Sequence, residues 1–269
     1  MYRALGAAII GITVGTATAL AQSAVVAPPD VVKELAPTGT LRAAINAGNV
    51  VLVQKDPSGG DPRGITVDLA RELGRRLGVP VDLVVYDTAG KVTDAVKNAG
   101  WDICFLAIEP ARAAVIGFTA PYVIIEGTYM VSVDSPLKAV ADVDRDGVRI
   151  AVSRGSAYDL YLSRMLQHAT LVRYPSPPLA FQGFLADKLD AAAGVKQQLV
   201  QFAKSNPNVR VMDGRFQEIR EAMGAPLGHD AGVKYLRSFV EEMKASGFAK
   251  KALERAGQPD ALVAPAAEN

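Results

Sequence analysis

Apolar positions along the chain recur with two different periods, and the alternation between them predicts the architecture. Leu69, Leu73 and Leu77 recur every fourth residue, with Glu72 and Arg76 on an outer face and Gly78 at the end. That spacing predicts an amphipathic helix. Ahead of it, residues 40–46 read as a strand, 52–55 as a second short strand, and 56–62 as a turn rich in Asp, Pro and Gly. Beyond it, residues 79–86 read as a strand, 91–98 as a helix, and 102–106 as a buried strand in which Cys104 is an inert small hydrophobe. The pattern then restarts. Residues 148–152, 169–174, 191–194 and 209–212 read as strands, separated by helices over 158–168, 179–186 and 197–205. Tyr235, Phe239 and Met243 step by four along a helix over 231–246, and a short helix over 248–256 follows.

Strand–helix–strand alternation at this spacing predicts parallel sheet with crossover helices. It falls into two blocks, about 40–130 and 148–213. Residues 129–133 join them, and 219–223 read as a return segment. If the last helices pack on the first block, the chain crosses between blocks twice. The expected fold class is therefore α/β, with two βα lobes joined by two hinge strands and a ligand cleft between them. The expected boundaries are 38–132 for the first part of lobe 1, 133–216 for lobe 2, and 217–258 for the return strand and closing helices of lobe 1. Residues 22–37 and the tail 259–269, rich in Ala and Pro, are expected to be loose.

Composition narrows the function classes. The chain has 269 residues, 49% of them apolar, which supplies a packed core and excludes a wholly disordered chain. A formal net charge of +1 gives no bulk electrostatic reason to bind nucleic acid or an anionic membrane. One cysteine excludes an intrachain disulfide, and with only two histidines an ordinary zinc site is not expected. His168 and His229 read as surface or cap residues, and Asp144 to Gly147 as a turn without the closing glutamate of a calcium loop. No cofactor is expected. Residues 1–21 carry one charge, Arg3, then an apolar run and small residues ending Ala19-Leu20-Ala21. This reads as a cleavable secretory signal peptide and predicts export of the mature protein, with a short, weakly apolar membrane anchor as the alternative. No later stretch looks membrane-spanning.

Two stretches hold candidate ligand chemistry. Arg112 follows the buried strand 102–106 at its carboxyl end, where open α/β sheets bind ligands. An arginine there is either a solvated helix residue or a planar fork for a carboxylate. In the second stretch, residues 150–159, a strand runs through Gly155 into a helix, with Ser156 as cap and Asp159 completing a capping box. Free N–H groups at such a helix start attract anions, and a plain cap reads equally well. There is no nucleophile elbow, phosphate loop or paired set of metal ligands.

The motifs together carry a resemblance. Residues 39–44 (GTLRAA) look like an opening G-x-L-R-V-A strand, and 64–70 (GITVDLA) like G-F-D-V-D-L-A. Pro110-Ala111-Arg112, followed by Gly117-Phe118-Thr119-Ala120-Pro121-Tyr122, resembles P-E-R…D-F-S-x-P-Y. Residues 152–156 and 189–192 resemble the V-x-x-G-T/S turn and the V-D-A strand. The mature chain thus resembles the periplasmic solute-binding proteins of polar amino-acid ABC transporters, bacterial extracellular family 3. The resemblance implies that Arg112 clamps a ligand carboxylate, helped by Gly155, Ser156 and Ala157. Asn49, Ala107 and Tyr158 complete the first candidate set. Two departures stand out. The family's ammonium-binding Asp corresponds to Val195, followed by Lys196, and the Ser/Thr before the arginine corresponds to Ala107. A buried ammonium without a counter-charge costs several kcal/mol. Glu126 is the expected substitute, and Lys196 an alternative contact for a second carboxylate. The implied activity is capture of a small carboxylate-bearing solute, an amino acid or related organic acid, by a monomer that is not an enzyme and that serves a membrane permease. An enzyme similar to cyclohexadienyl dehydratase and a receptor-type sensor domain are the alternatives.

Overall fold

A computed structural model describes residues 27–259 and 261–268; the expected signal peptide over 1–21 lies outside the described residues. The elements run in the order α1 (Pro29–Leu35), β1 (Leu41–Asn46), α2 (Ile65–Leu77), β2 (Val81–Tyr86), α3 (Ala89–Ala95), β3 (Ile103–Ala107), α4 (Pro110–Ala113) and β4 (Ile116–Ser132). There follow β5 (Arg149–Ser153), α5 (Ala157–Met165), β6 (Thr170–Tyr174), α6 (Pro177–Ala186), β7 (Ala191–Val195), α7 (Lys196–Lys204) and β8 (Val209–Val211). The chain closes with β9 (Gln217–Pro226), α8 (Asp230–Ala245), α9 (Phe248–Arg255) and β10 (Leu262–Val263).

The architecture is α/β with two lobes. In the first, β1 pairs in parallel with β2 and with β3; in the second, β5 pairs in parallel with β6 and β7. The long strands β4 and β9 run antiparallel to each other and stitch these groups into one sheet of order β2-β1-β3-β9-β4-β7-β5-β6. The partner of β4 changes at Gly127, which aligns with Gln217 of β9 and with Val195 of β7. The chain therefore passes between lobes within continuous strand.

Helix α2 forms as its leucine period predicts. Leu69 and Leu73 are fully buried, Leu77 nearly so, and Gly78 ends the helix in the left-handed region at φ 71°. Each such leucine contributes about 1.5–3 kcal/mol by burial. The first-lobe core joins them to Leu236, Phe239 and Leu253 of the closing helices. A separate cluster in the second lobe packs Phe181, Phe184 and Leu199.

Three local expectations are corrected. Residues 52–55 form no strand: the Leu52 and Val53 N–H groups both turn back to the Asn49 carbonyl, and only an isolated bridge links Gln54 to Arg63. The described part of the lead-in, from residue 27 on, is not loose, because Val31 and Leu35, four apart, bury one face of α1. Glu34 beside them accepts a 2.7 Å bond from the Gly232 N–H at the start of α8. The tail is not loose either. Strand β10 pairs with β4, and the Ala264 N–H reaches the Tyr122 carbonyl. Both segments are held by distant surfaces, which no local pattern encodes.

Candidate functional site

Three antiparallel steps, β3–β9, β9–β4 and β4–β7, set the parallel strands of the two lobes in opposite directions, so that their carboxyl ends face each other around one cavity of about 40 Å³. Asn46 and Asn49 arrive from the end of β1, Thr88 from β2, Ala107 and Arg112 from β3, Ser153 and Ser156 from β5, and Val195 from β7. This convergence follows from parallel pairing and places ligand chemistry at strand ends.

Arg112 is 1% exposed, held in the short helix α4 that Pro110 opens. Its Nη1 donates to the Ala107 carbonyl at 2.9 Å and its Nη2 to the Gly155 carbonyl at 3.0 Å. The second bond crosses between lobes. The buried Nε has no partner. Burial lowers the guanidinium pKa against the opposing fields of Glu221 and Glu109, yet an arginine stays charged. Among the described residues no carboxylate lies within 4.0 Å of it. A buried cation with unclaimed donors is held ready for an anion.

Glu221 of β9 lines the same cavity and is 6% exposed. Asn49 Nδ2 donates to its Oε1 at 3.1 Å. Burial pushes its pKa up to about 7, although the Arg112 guanidinium and the Asn49 amide pull it down. Sequence reasoning missed this residue. The signal was present: Gln217, Ile219, Glu221 and Met223 fall on one side of a period-2 strand and are buried, while Glu218 and Arg220 are exposed. An acid at an inward position was the mark.

Asn49, Ala107, Arg112, Ser156, Ala157 and Tyr158 all line the cavity. Gly155 touches Arg112 through its carbonyl but its N–H is not free, because Asp159 Oδ2 accepts it at 2.8 Å. The Ser156 hydroxyl caps α5 by accepting the Asp159 N–H at 3.1 Å, and the Ser156 N–H goes to the Ser153 carbonyl. The first-turn N–H groups of Ala157 and Tyr158 remain for a ligand.

Glu126 and Lys196 are not brought to the cavity, which corrects the expectation that they contact ligand. Lys196 Nζ lies 2.8 Å from Glu126 Oε2, and Arg215 Nη1 lies 2.9 Å from Oε1. Glu126, 32% exposed on its side chain, stands beside Glu218 in the antiparallel register, and the two cations neutralise that pair of acids at the surface. The Lys196 hydrogen bond is the main reason the Glu126 pKa is lowered.

The lobes touch around the cavity. Gln198 Nε2 of α7 donates to the Gly48 carbonyl at 2.9 Å, and Arg164 of α5 pairs with the buried Glu109 at 2.7 Å. At a third point two glycine backbones meet. A Cβ on Gly155 would stand 2.9 Å from the Gly90 Cα, and one on Gly90 would stand 3.1 Å from the Arg154 carbonyl oxygen. A branched side chain at Gly90 is therefore a wedge. Gly90→Val is expected to leave the fold intact but to hold the lobes apart, weakening ligand binding by about tenfold or more, ~1.4 kcal/mol. Calorimetry measures the affinity and small-angle scattering the gap; native affinity with native compaction would show that this contact does not govern closure.

Comparison with known proteins agrees with the two-lobed fold. Residues 41–258 match the model for bacterial extracellular solute-binding proteins, family 3. A glutamine-binding protein of Geobacillus stearothermophilus is 23% identical over 175 residues, covering 64% of this chain and 66% of that protein, just under two thirds of its length. Among solved structures, a solute receptor for L-cysteine of Neisseria gonorrhoeae superposes with TM-score 0.72 at 21% identity, over 83% of this chain and 92% of that one. The ancestral amino acid-binding protein AncCDT-1, a precursor of cyclohexadienyl dehydratase, superposes with TM-score 0.69 at 24% identity, over 83% and 98%. At these identities the structural likeness shows the shared fold.

Proposed function

The chain belongs to the bacterial extracellular solute-binding proteins, family 3, and from that membership we propose that it captures an amino acid between Arg112 and Glu221. One observation carries the reading: a buried, charged arginine with unclaimed donors and a buried carboxyl acid line one cavity. The first suits a ligand carboxylate and the second its ammonium, so Glu221 takes the counter-charge role expected of Glu126. A ligand bridging Arg112 of one lobe and the α5 N–H groups of the other favours the closed arrangement. Export from the cytoplasm, by way of the expected signal peptide over 1–21, and delivery to an ABC transporter permease complete the reading. Export rests on that sequence pattern and the family, delivery on the family alone.

A catalytic reading has one observation in its favour. An acid with a pKa of about 7 beside a carboxylate-binding arginine is what general-acid chemistry needs.

Thermal melting of the protein with single amino acids, and with carboxylic acids lacking the amine, tests the reading. An amino acid at a hundred times its Kd adds about 2.7 kcal/mol, a rise of about 5–10 °C for a chain of this size. No shift with any amino acid, or equal shifts with the deaminated acids, would overturn it. Turnover of prephenate would establish the catalytic alternative instead.

A further inference from the structure

We infer that the ligand is a small amino acid, of the size of glycine, alanine or serine, because the walls around Arg112 and Glu221 leave no room for a longer side chain. This rests on the amino-acid reading of the same site. The cavity measures about 40 Å³. A single water needs at least about 10–15 Å³ by the same measure, so the space holds about three water-sized groups. A carboxylate, an ammonium and the carbon joining them take up most of it.

The apolar walls are Leu106, Val195, Ile219 and Pro177. Three of them are set in strands of the sheet. Leu106 sits in β3 opposite Ala222 of β9, Val195 sits in β7 opposite Gly127 of β4, and Ile219 sits in β9 opposite Ile125. Ile219 and Glu221 are two residues apart on one strand and so share a face. The side chain that bounds the cavity is therefore set in the same strand as the acid that receives the ammonium.

Longer side chains have two bordering grooves to enter. Gly48 and Gln198 border one of about 330 Å³, which the 2.9 Å Gln198–Gly48 bond closes at that edge and which Glu221 does not line. Arg112 and Thr88 border the other, a groove of about 510 Å³, which Gly90 and Gly155 line as well. Gly155 is tied there to Arg112 by the 3.0 Å bond and touches Gly90 backbone to backbone. Glu221 does not line that groove. A ligand lying in it leaves the acid behind.

Calorimetry at pH 8 on the full-length mature protein, with glycine, L-alanine, L-serine, L-glutamine and L-arginine as probes, decides the matter. At least one of the three small amino acids is expected to bind tenfold or more tighter than glutamine and arginine. Ile219→Ala, with its melting curve recorded as a check on folding, is expected to move that ratio about tenfold toward the longer side chains. Glutamine or arginine binding tighter than all three overturns the size limit and leaves the Arg112–Glu221 reading standing. No heat from any of the five overturns both.

Discussion

Arg112→Ala is expected to weaken binding of the preferred amino acid by about 2–5 kcal/mol, the range for truncating one member of a buried charge pair, or about 30- to 4,000-fold. Two losses add. The ligand carboxylate loses its fork, and the lobes lose the Arg112–Gly155 bond that crosses between them. The fold is expected to survive, because among the described residues Arg112 has no salt-bridge partner to orphan and its removal lifts a desolvation cost. Glu221, freed of the guanidinium field that lowers its pKa, relaxes toward its neutral form. Scattering adds a second reading. At ligand concentrations that saturate the variant, native compaction would locate the closing contact elsewhere, with Gln198–Gly48 and Arg164–Glu109 as the remaining bridges. Unchanged affinity would remove Arg112 from the site.

The two-lobed frame was legible because each lobe repeats a local unit that short-range periods reveal. The leucines of α2 and the restart of strand–helix alternation near residue 148 sufficed. The arginine was legible because it follows a buried strand. Strand β4 was legible only in pieces. Gly117, Pro121 and Gly127 interrupt its pattern, and the structure absorbs Pro121 where the pairing register with β9 shifts on either side of it. Missing that continuity hid which face Glu126 takes. In an unbroken strand Glu126 takes the opposite face from Ile125, which is 1% exposed, and so turns toward Lys196 and Arg215. The same alternation applied to β9 points Glu221 inward. The capping box at Ser156 was read correctly in its hydroxyl half. The carboxylate of Asp159 takes the N–H of Gly155 one residue earlier, which removes a donor assigned to the ligand.

Glu221→Gln is expected to cost more than about 100-fold in amino-acid affinity at pH 8, since breaking one side of a buried ion pair costs about 3–5 kcal/mol. The same residue predicts how the native protein responds to pH. In the free protein its pKa stands at about 7, raised by burial. An ammonium beside it favours the ionised form and lowers that value in the complex. Affinity is therefore level above about pH 7 and falls below it, by at most tenfold per pH unit, as the free protein takes up a proton that binding must release. The other groups facing Glu221 do not produce this profile. Arg112 stays cationic, and burial pushes the Tyr122 hydroxyl and the Cys104 thiol up, away from the neutral range. Neither His168 nor His229 lines the cavity. Glu126→Gln serves as the control and is expected to change affinity by less than about twofold, as suits a solvent-screened surface pair. Calorimetry in buffers of different ionisation enthalpy counts the released proton between pH 5 and 8. Proton release that persists in Glu221→Gln, or a native affinity that does not fall toward pH 5, would take Glu221 out of contact with the ammonium and leave the ligand's amine to the α5 side of the cleft.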